Sequence, residues 1–234
     1  MNLPKKIEPC PIIDALVEIR FLTEIPSDAV FGLFYSKLKN NFDEVKKLPI
    51  MELPDQVRTN DPNLKYKPHY KLIGNNFVSQ IGPKVLSISS YPEYIGWNKF
   101  SKKINSILDL VHDTEVIKEI ERVGIRYINF FEMSIFNYLD LKFLLGNKEI
   151  NYKNTVFRTE LEQDEFISTL QIANNIKNNR KTGSIIDIDT FKKKGLNDFF
   201  NNKETIIDNG HLKEKELFFK LLNNDFLKTL NPKY

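Results

Sequence analysis

The residues best suited to chemistry are two aspartates in an alternating stretch, Ile186-Asp187-Ile188-Asp189. Side chains two apart on a strand share one face. The two carboxylates could therefore hold Mg²⁺ or Mn²⁺ for phosphoryl chemistry, with His211 as a base or a third ligand. The alternative is that Ile186 and Ile188 face the core while both carboxylates face water or nearby lysines.

A second candidate set, Arg126, Tyr127 and Asn129, lies in a central segment that also alternates apolar and polar residues. Successive side chains of a strand point to opposite faces, so Arg126 lies opposite Tyr127 and Asn129. An arginine in a central strand is costly unless it is paired. Arg126 therefore either binds a phosphate or carboxylate ligand through two hydrogen bonds, or pairs with Glu18 or Asp187 across the sheet.

Basic residues interleave with tyrosines over residues 65–71, where the three-stranded meander begins, and a second basic group lies near residue 180. Lysines between aromatic rings could contact a nucleic-acid strand through charge and stacking. Lysines also protect the edges of sheets, which is their commoner use. The candidates for a nucleic-acid patch are Lys65, Lys67, Lys71, Arg180 and Lys181.

Several kinds of active site are excluded because their motifs are missing from the sequence. The chain has no phosphate loop ending in Gly-Lys-Ser/Thr, no Gly-x-Gly-x-x-Gly, no His-Glu-x-x-His and no Gly-x-Ser-x-Gly. Three histidines are few for a metalloenzyme, and Cys10 lies among prolines rather than at a helix start. We therefore expect no cofactor and no metal, and the balance favours a protein that is not an enzyme.

Apolar periodicity predicts the elements that must position these residues. Alternation predicts strands over 14–22, 120–130, 156–162, 166–176 and 184–191, and a three-stranded meander over 69–91. Helical spacing predicts helices over 27–42, 97–112 and 211–230, and a short helix over 133–144.

Short turns between successive strands favour antiparallel pairing with helices on one face. We predict an α+β fold built from one or more mainly antiparallel sheets with helices packed on one face. The chain divides into an N-terminal α+β half, 1–132, and a C-terminal α+β half, 133–234, which are either two similar halves or one domain.

Composition and charge bear on the partner and on the cellular compartment of the protein. The 34 lysines and arginines nearly balance 31 aspartates and glutamates, and a net charge of +3 does not demand nucleic acid. A single cysteine excludes a disulfide within the chain and suits a reducing compartment. Residues 1–11 contain two lysines and no apolar run, so no signal peptide is predicted. The expected compartment is the cytoplasm, with no membrane partner.

Three segments together resemble the sporadically distributed bacterial TIGR04255 family. They are the opening strand Pro11–Phe21, the central Arg122–Asn129 strand, and Ile186–Asp189 followed by His211 and a Phe-rich helix. The resemblance covers nearly the whole chain, although Asp14 stands where the family pattern usually has Glu. It implies no activity or catalytic residue. The family's patchy distribution resembles that of mobile genes in phage-defence and toxin–antitoxin neighbourhoods.

Three functions follow as alternatives. The first is a cytoplasmic bacterial binding protein that acts through protein–protein contact, with a protein encoded nearby or with itself, as part of a phage-defence or toxin–antitoxin module. The second is a nucleic-acid-binding protein or a metal-dependent nuclease that uses Asp187, Asp189 and His211. The third is a sensor of a small anionic ligand that is held by Arg126.

Overall fold

The computed structural model describes residues 3–150 and 153–234 of the 234-residue chain. The helices are α1 (Ser27–Leu38), α2 (Asp55–Asn60), α3 (Trp97–His112), α4 (Phe199–Leu221) and α5 (Asn224–Thr229). The strands are β1 (Ile12–Leu22), β2 (Glu44–Lys47), β3 (Tyr70–Gly74), β4 (Phe77–Gly82), β5 (Val85–Ser90), β6 (Glu119–Phe131), β7 (Leu144–Leu145), β8 (Lys148–Glu149), β9 (Val156–Gln163), β10 (Phe166–Asn178) and β11 (Lys181–Lys192).

Nine of these strands form one sheet in the order β2-β3-β4-β5-β1-β6-β11-β10-β9, and β7 and β8 form a separate hairpin. The predicted α+β class with a mainly antiparallel sheet is confirmed.

The chain forms two compact units, and each is discontinuous in sequence. Unit 1 comprises Met1–Ile13, Arg126–Thr190 and Gly210–Tyr234, and unit 2 comprises Asp14–Ile125 and Phe191–Asn209. The boundary at residue 132 stays a prediction.

In unit 2, alternate residues of β1 build the core. Val17, Ile19 and Phe21 are buried, as the alternating pattern predicts. The Phe34 ring of α1 lies 5.7 Å from the Phe21 ring, so α1 packs on the face of the sheet that bears these residues. We call this face the helix face, and Arg20, between Ile19 and Phe21, points to the opposite face.

In unit 1, the core lies between the sheet and α4. Ile186 and Ile188 of β11 are fully buried in one cluster with Leu217 and Leu221 of α4. These isoleucines mark the helix face of unit 1, and Asp187, between them, points to the opposite face.

The short helix predicted over 133–144 is wrong. That segment holds one 3₁₀ turn, Ile135–Tyr138, and its end forms β7. Other backbone groups of the segment bind neighbouring elements: the Ile135 amide donates to Ser184 Oγ, and the Asp140 amide donates to the Leu221 carbonyl.

The closing helix begins earlier and ends earlier than the predicted 211–230. Phe199, at the start of α4, is buried. Burial of its ring stabilises a helical conformation in the polar stretch that follows, although that stretch has little apolar periodicity. The chain leaves the helix at Asn223, whose side-chain oxygen accepts from the Phe226 amide and caps α5. No helix of the described residues is long and apolar enough to cross a membrane.

Candidate functional site

Arg126 and Asp187 lie together on the opposite face of unit 1. Arg126 Nε donates to Asp187 Oδ1 at 2.8 Å, and Nη2 donates to Oδ2 at 2.6 Å. This two-point geometry is the strongest arrangement of an arginine and a carboxylate. The Asp187 side chain is 11% exposed and that of Arg126 is 41% exposed, so the pair is partly desolvated. Asp187 is one of the two carboxylates that the sequence offers as partners for Arg126, and it binds that arginine at two points.

His211 lies on the helix face, on the other side of the sheet from Asp187. Its ring centroid is 5.5 Å from that of Tyr127, the neighbour of Arg126 that points to the helix face. Asn129 is buried on the same face and donates to the Ile186 carbonyl at 3.5 Å. The sheet therefore separates Asp187 and Arg126 from His211, Tyr127 and Asn129, and the candidates do not converge on one substrate.

Two titratable side chains stand on successive turns of α4 in unit 1, and Glu214 is buried whereas His211 is partly buried. Burial, with a smaller contribution from the charge of Lys215, lowers the pKa of His211 to about 3. Burial raises the pKa of Glu214 to about 8, and Lys215 opposes that shift. Both side chains are therefore mainly uncharged at neutral pH, as groups inside a packed interior are expected to be. Sequence analysis missed Glu214, because its burial depends on how α4 packs.

Asp189 shares the opposite face with Asp187, as strand spacing predicts, but Asp187 is already engaged by Arg126. Within residues 3–150 and 153–234, no three His, Cys, Asp or Glu side chains lie close enough together to hold a metal ion.

A second ion-pair cluster, which sequence analysis missed, lies in unit 2. Glu18 Oε1 accepts from Arg20 Nε at 2.7 Å and from Arg122 Nη1 at 3.0 Å. The Arg122 guanidinium also lies 4.5 Å from the centre of the Phe191 ring. A Cβ on Gly124 would overlap the Arg122 guanidinium, so glycine leaves the room that this arginine occupies. The spacing Arg-x-Gly on a strand is the sequence signal for it.

The basic residues proposed for nucleic-acid contact are distributed over both units. In unit 2, Lys65 Nζ lies 3.3 Å from Glu121 and 4.6 Å from the centre of the Tyr66 ring, and Lys71 Nζ lies 5.3 Å from the centre of the Tyr91 ring. Lys67 is exposed.

In unit 1, Arg180 is exposed and Lys181 forms an ion pair with Glu132. A carboxylate therefore offsets the charge of Lys65 and of Lys181. This pairing weakens the attraction of either lysine for a phosphate backbone.

The most exposed apolar side chains belong to the hairpin β7–β8 of unit 1. Leu144 is 62% exposed and Leu145 is 78% exposed. Adjacent strand residues point to opposite faces, so exposure of both means that neither face of the hairpin is packed at this point. Gly146, with a φ of 62°, and Asn147 form the turn. A Gly-Asn pair after two leucines is the hairpin signal that sequence analysis missed.

Strand β9 lies beside the base of this hairpin and ends the order of the nine-stranded sheet. The Phe143 ring, just before β7, lies 4.6 Å from the Phe157 ring of β9. Val156, at the start of β9, is 66% exposed. We call the surface formed by hairpin β7–β8 and strand β9 the edge surface.

No protein-family model matches the chain, and no curated protein matches it. The resemblance to the TIGR04255 family therefore stays a prediction.

The two kinds of candidate surface differ in what they offer a partner. The charges of Arg126 and Asp187 in unit 1, and those of Arg122 and Glu18 in unit 2, are paired within the protein. The edge surface instead exposes the apolar side chains of Leu144, Leu145 and Val156 to water, and large contiguous apolar patches are a feature of contact sites in other proteins.

Proposed function

We propose that this protein is a binding protein that acts through protein–protein contact at the edge surface of unit 1. The observation that carries the proposal is the exposure of Leu144 and Leu145 on a hairpin with no packed face at those residues. Burying two leucine side chains against a partner contributes about 1.5–3 kcal/mol each. Arg126 and Asp187 are paired with each other, and His211 lies on the other face of the sheet. Binding to another protein therefore agrees better with this arrangement than catalysis does.

The cellular setting of this function belongs to the same proposal. A single cysteine, which is free and exposed, suits a reducing compartment such as the cytoplasm. The resemblance to a patchily distributed bacterial family supports a role in a phage-defence or toxin–antitoxin module.

The test is affinity purification of the full chain from its own host, followed by mass spectrometry. The informative variant replaces both Leu144 and Leu145 with serine. The matched control replaces Lys148 and Glu149 with serine, because these residues stand directly opposite the two leucines in the same hairpin and are also exposed. We expect a stoichiometric partner, either another protein or an untagged second copy of this chain, to remain bound to the native chain and the control, and to be lost from the leucine variant.

Two results would contradict the proposal. One is a partner that binds equally well to all three chains, because the leucines would then not form the contact. The other is copurified nucleic acid without any protein, detected by absorbance at 260 nm, which would favour a nucleic-acid-binding function.

A further inference from the structure

The two outer strands of the sheet differ in how they are protected against pairing with another chain. Strand β2, at one end of the order, has four residues and carries Lys46 and Lys47, which is the usual protection of an edge. Strand β9, at the other end, has eight residues and no proline, and its charged residues, Arg158, Glu160 and Glu162, are of both signs. In the described part of the chain, β10 is the only strand paired with it.

The turn after β9 determines which of its backbone groups point away from the sheet. Gln163 and Phe166 stand opposite each other across the two-residue turn Asp164-Glu165. The pair that flanks such a turn exchanges backbone hydrogen bonds, and bonding then alternates along the strand. The N–H and C=O groups directed away from β10 therefore belong to Val156, Arg158, Glu160 and Glu162.

The charged side chains of these residues match those of a second copy of β9 in one antiparallel register. When Thr159 faces Thr159 of a second copy, Arg158 faces Glu160 of that copy, and symmetry repeats the pair. A shift of the copy by two residues in one direction places Arg158 against Arg158. The opposite shift places Glu160 against Glu160, although Arg158 then faces Glu162. Each shifted register therefore contains a like-charged pair, and the first register contains none. Opposite charges across a strand pair are favourable and like charges are unfavourable, so the charges select the first register.

The other face of the strand fits the same register. Phe157 of one copy faces Leu161 of the other, and this pair is also repeated by symmetry. Both side chains are partly buried against the core cluster of unit 1, so pairing would continue that apolar layer across the contact. Two threonines at the centre are a favourable cross-strand pair.

The geometry points to a second copy of this chain as a partner of the edge surface: two β9 strands pair antiparallel, with Thr159 on the two-fold axis. The inference rests on the proposed function, because it names the partner at the proposed surface. The exposed leucines of hairpin β7–β8 lie beside this contact, since Phe143 at the base of the hairpin touches Phe157.

Sedimentation velocity of the full chain over a range of concentrations tests this assignment. We expect the mass of two chains, and Arg158→Glu should raise the dissociation constant roughly tenfold or more because both symmetry-related pairs become like-charged. Adding Glu160→Arg should restore the dimer, because the swapped charges face each other again. Lys46→Glu, on the other edge strand, is the control and should leave the mass unchanged.

Cysteine cross-linking determines the register independently. Residues that face each other without exchanging hydrogen bonds have Cα atoms about 4.5 Å apart, within reach of a disulfide. In a Cys10→Ser background, Thr159→Cys should form a disulfide-linked dimer on mild oxidation. Glu160→Cys should not, because residue 160 faces residue 158.

Monomeric native protein that does not cross-link through Thr159→Cys would overturn the inference. If that monomer still captured a protein partner through Leu144 and Leu145, the proposed function would stand. Conversely, a dimer that keeps its mass and its bound proteins when both leucines are replaced would support β9 pairing and overturn the role of the leucines.

Discussion

Arg126 and Asp187 are joined by two hydrogen bonds, 2.8 Å and 2.6 Å long, between the neighbouring strands β6 and β11. The pair explains how an arginine is accommodated in a central strand, because its charge is balanced within the sheet. It also counts against Asp187 as a metal ligand, since binding a cation there would displace the guanidinium.

This pair should stabilise the protein measurably. Asp187→Ala is expected to lower the free energy of unfolding by about 2 kcal/mol, because a partly buried guanidinium loses two charged hydrogen bonds. A double-mutant cycle with Arg126→Ala, followed by urea unfolding, isolates the coupling. The matched control is the exposed pair of Lys181 and Glu132, for which we expect about 0–1 kcal/mol. Equal coupling for the two pairs would show that Asp187 and Arg126 behave as a surface pair.

A side chain at Gly124 should displace the Arg122 guanidinium. A Cβ at this position would overlap the Arg122 guanidinium, so Gly124→Ala should force that group away from Glu18 and cost about 1–3 kcal/mol in unfolding experiments. Gly32→Ala in α1 is the control, because a Cβ there meets nothing within 4 Å, and alanine should stabilise the helix by about 0.5–1 kcal/mol. If Gly124→Ala costs as much in an Arg122→Ala background, the overlap is not the cause.

Glu214 should make the protein less stable as the pH rises. Its pKa in the folded protein is about 8, above the ordinary value of 4.5, so between these values the folded state holds a proton that the unfolded state has lost. The stabilisation is complete below about pH 4.5 and is lost as the pH rises through 8. The slope approaches 1.4 kcal/mol per pH unit at most.

Glu214→Gln is the test of this slope, because glutamine keeps the shape of a protonated carboxyl group. Thermal unfolding between pH 6 and pH 8.5 should show a falling melting temperature for the native protein and a much flatter profile for the variant. Parallel profiles would assign the slope to another group.

His211 should make the protein less stable in acid. Its pKa in the folded protein is about 3, below the ordinary value of 6.5, so between these values the unfolded state binds a proton that the folded state does not. The stabilisation is complete above about pH 6.5 and is lost as the pH falls toward 3. The imidazole C–H proton resonance, followed by NMR, should not titrate between pH 5 and pH 8; a midpoint near 6.5 would contradict burial of this ring.

The sequence by itself determined the elements that have a strong local period. The alternating segments became β1, β6, β9 and β10, and the apolar stripe over 97–112 became α3 with the same bounds. Alternation also predicted that Arg126 and Tyr127 point to opposite faces. These features depend on neighbours along the chain, and hydrophobic period is a property of such neighbours.

Only the tertiary structure decided which residues meet. Asp187 binds Arg126 through two hydrogen bonds, because the strand order places β11 beside β6. His211 lies on the other side of the sheet from Asp187, and the leucines of β7 stay exposed where sequence predicted a helix. Partner identity, face and exposure depend on contacts between segments far apart in sequence, and no local period encodes them.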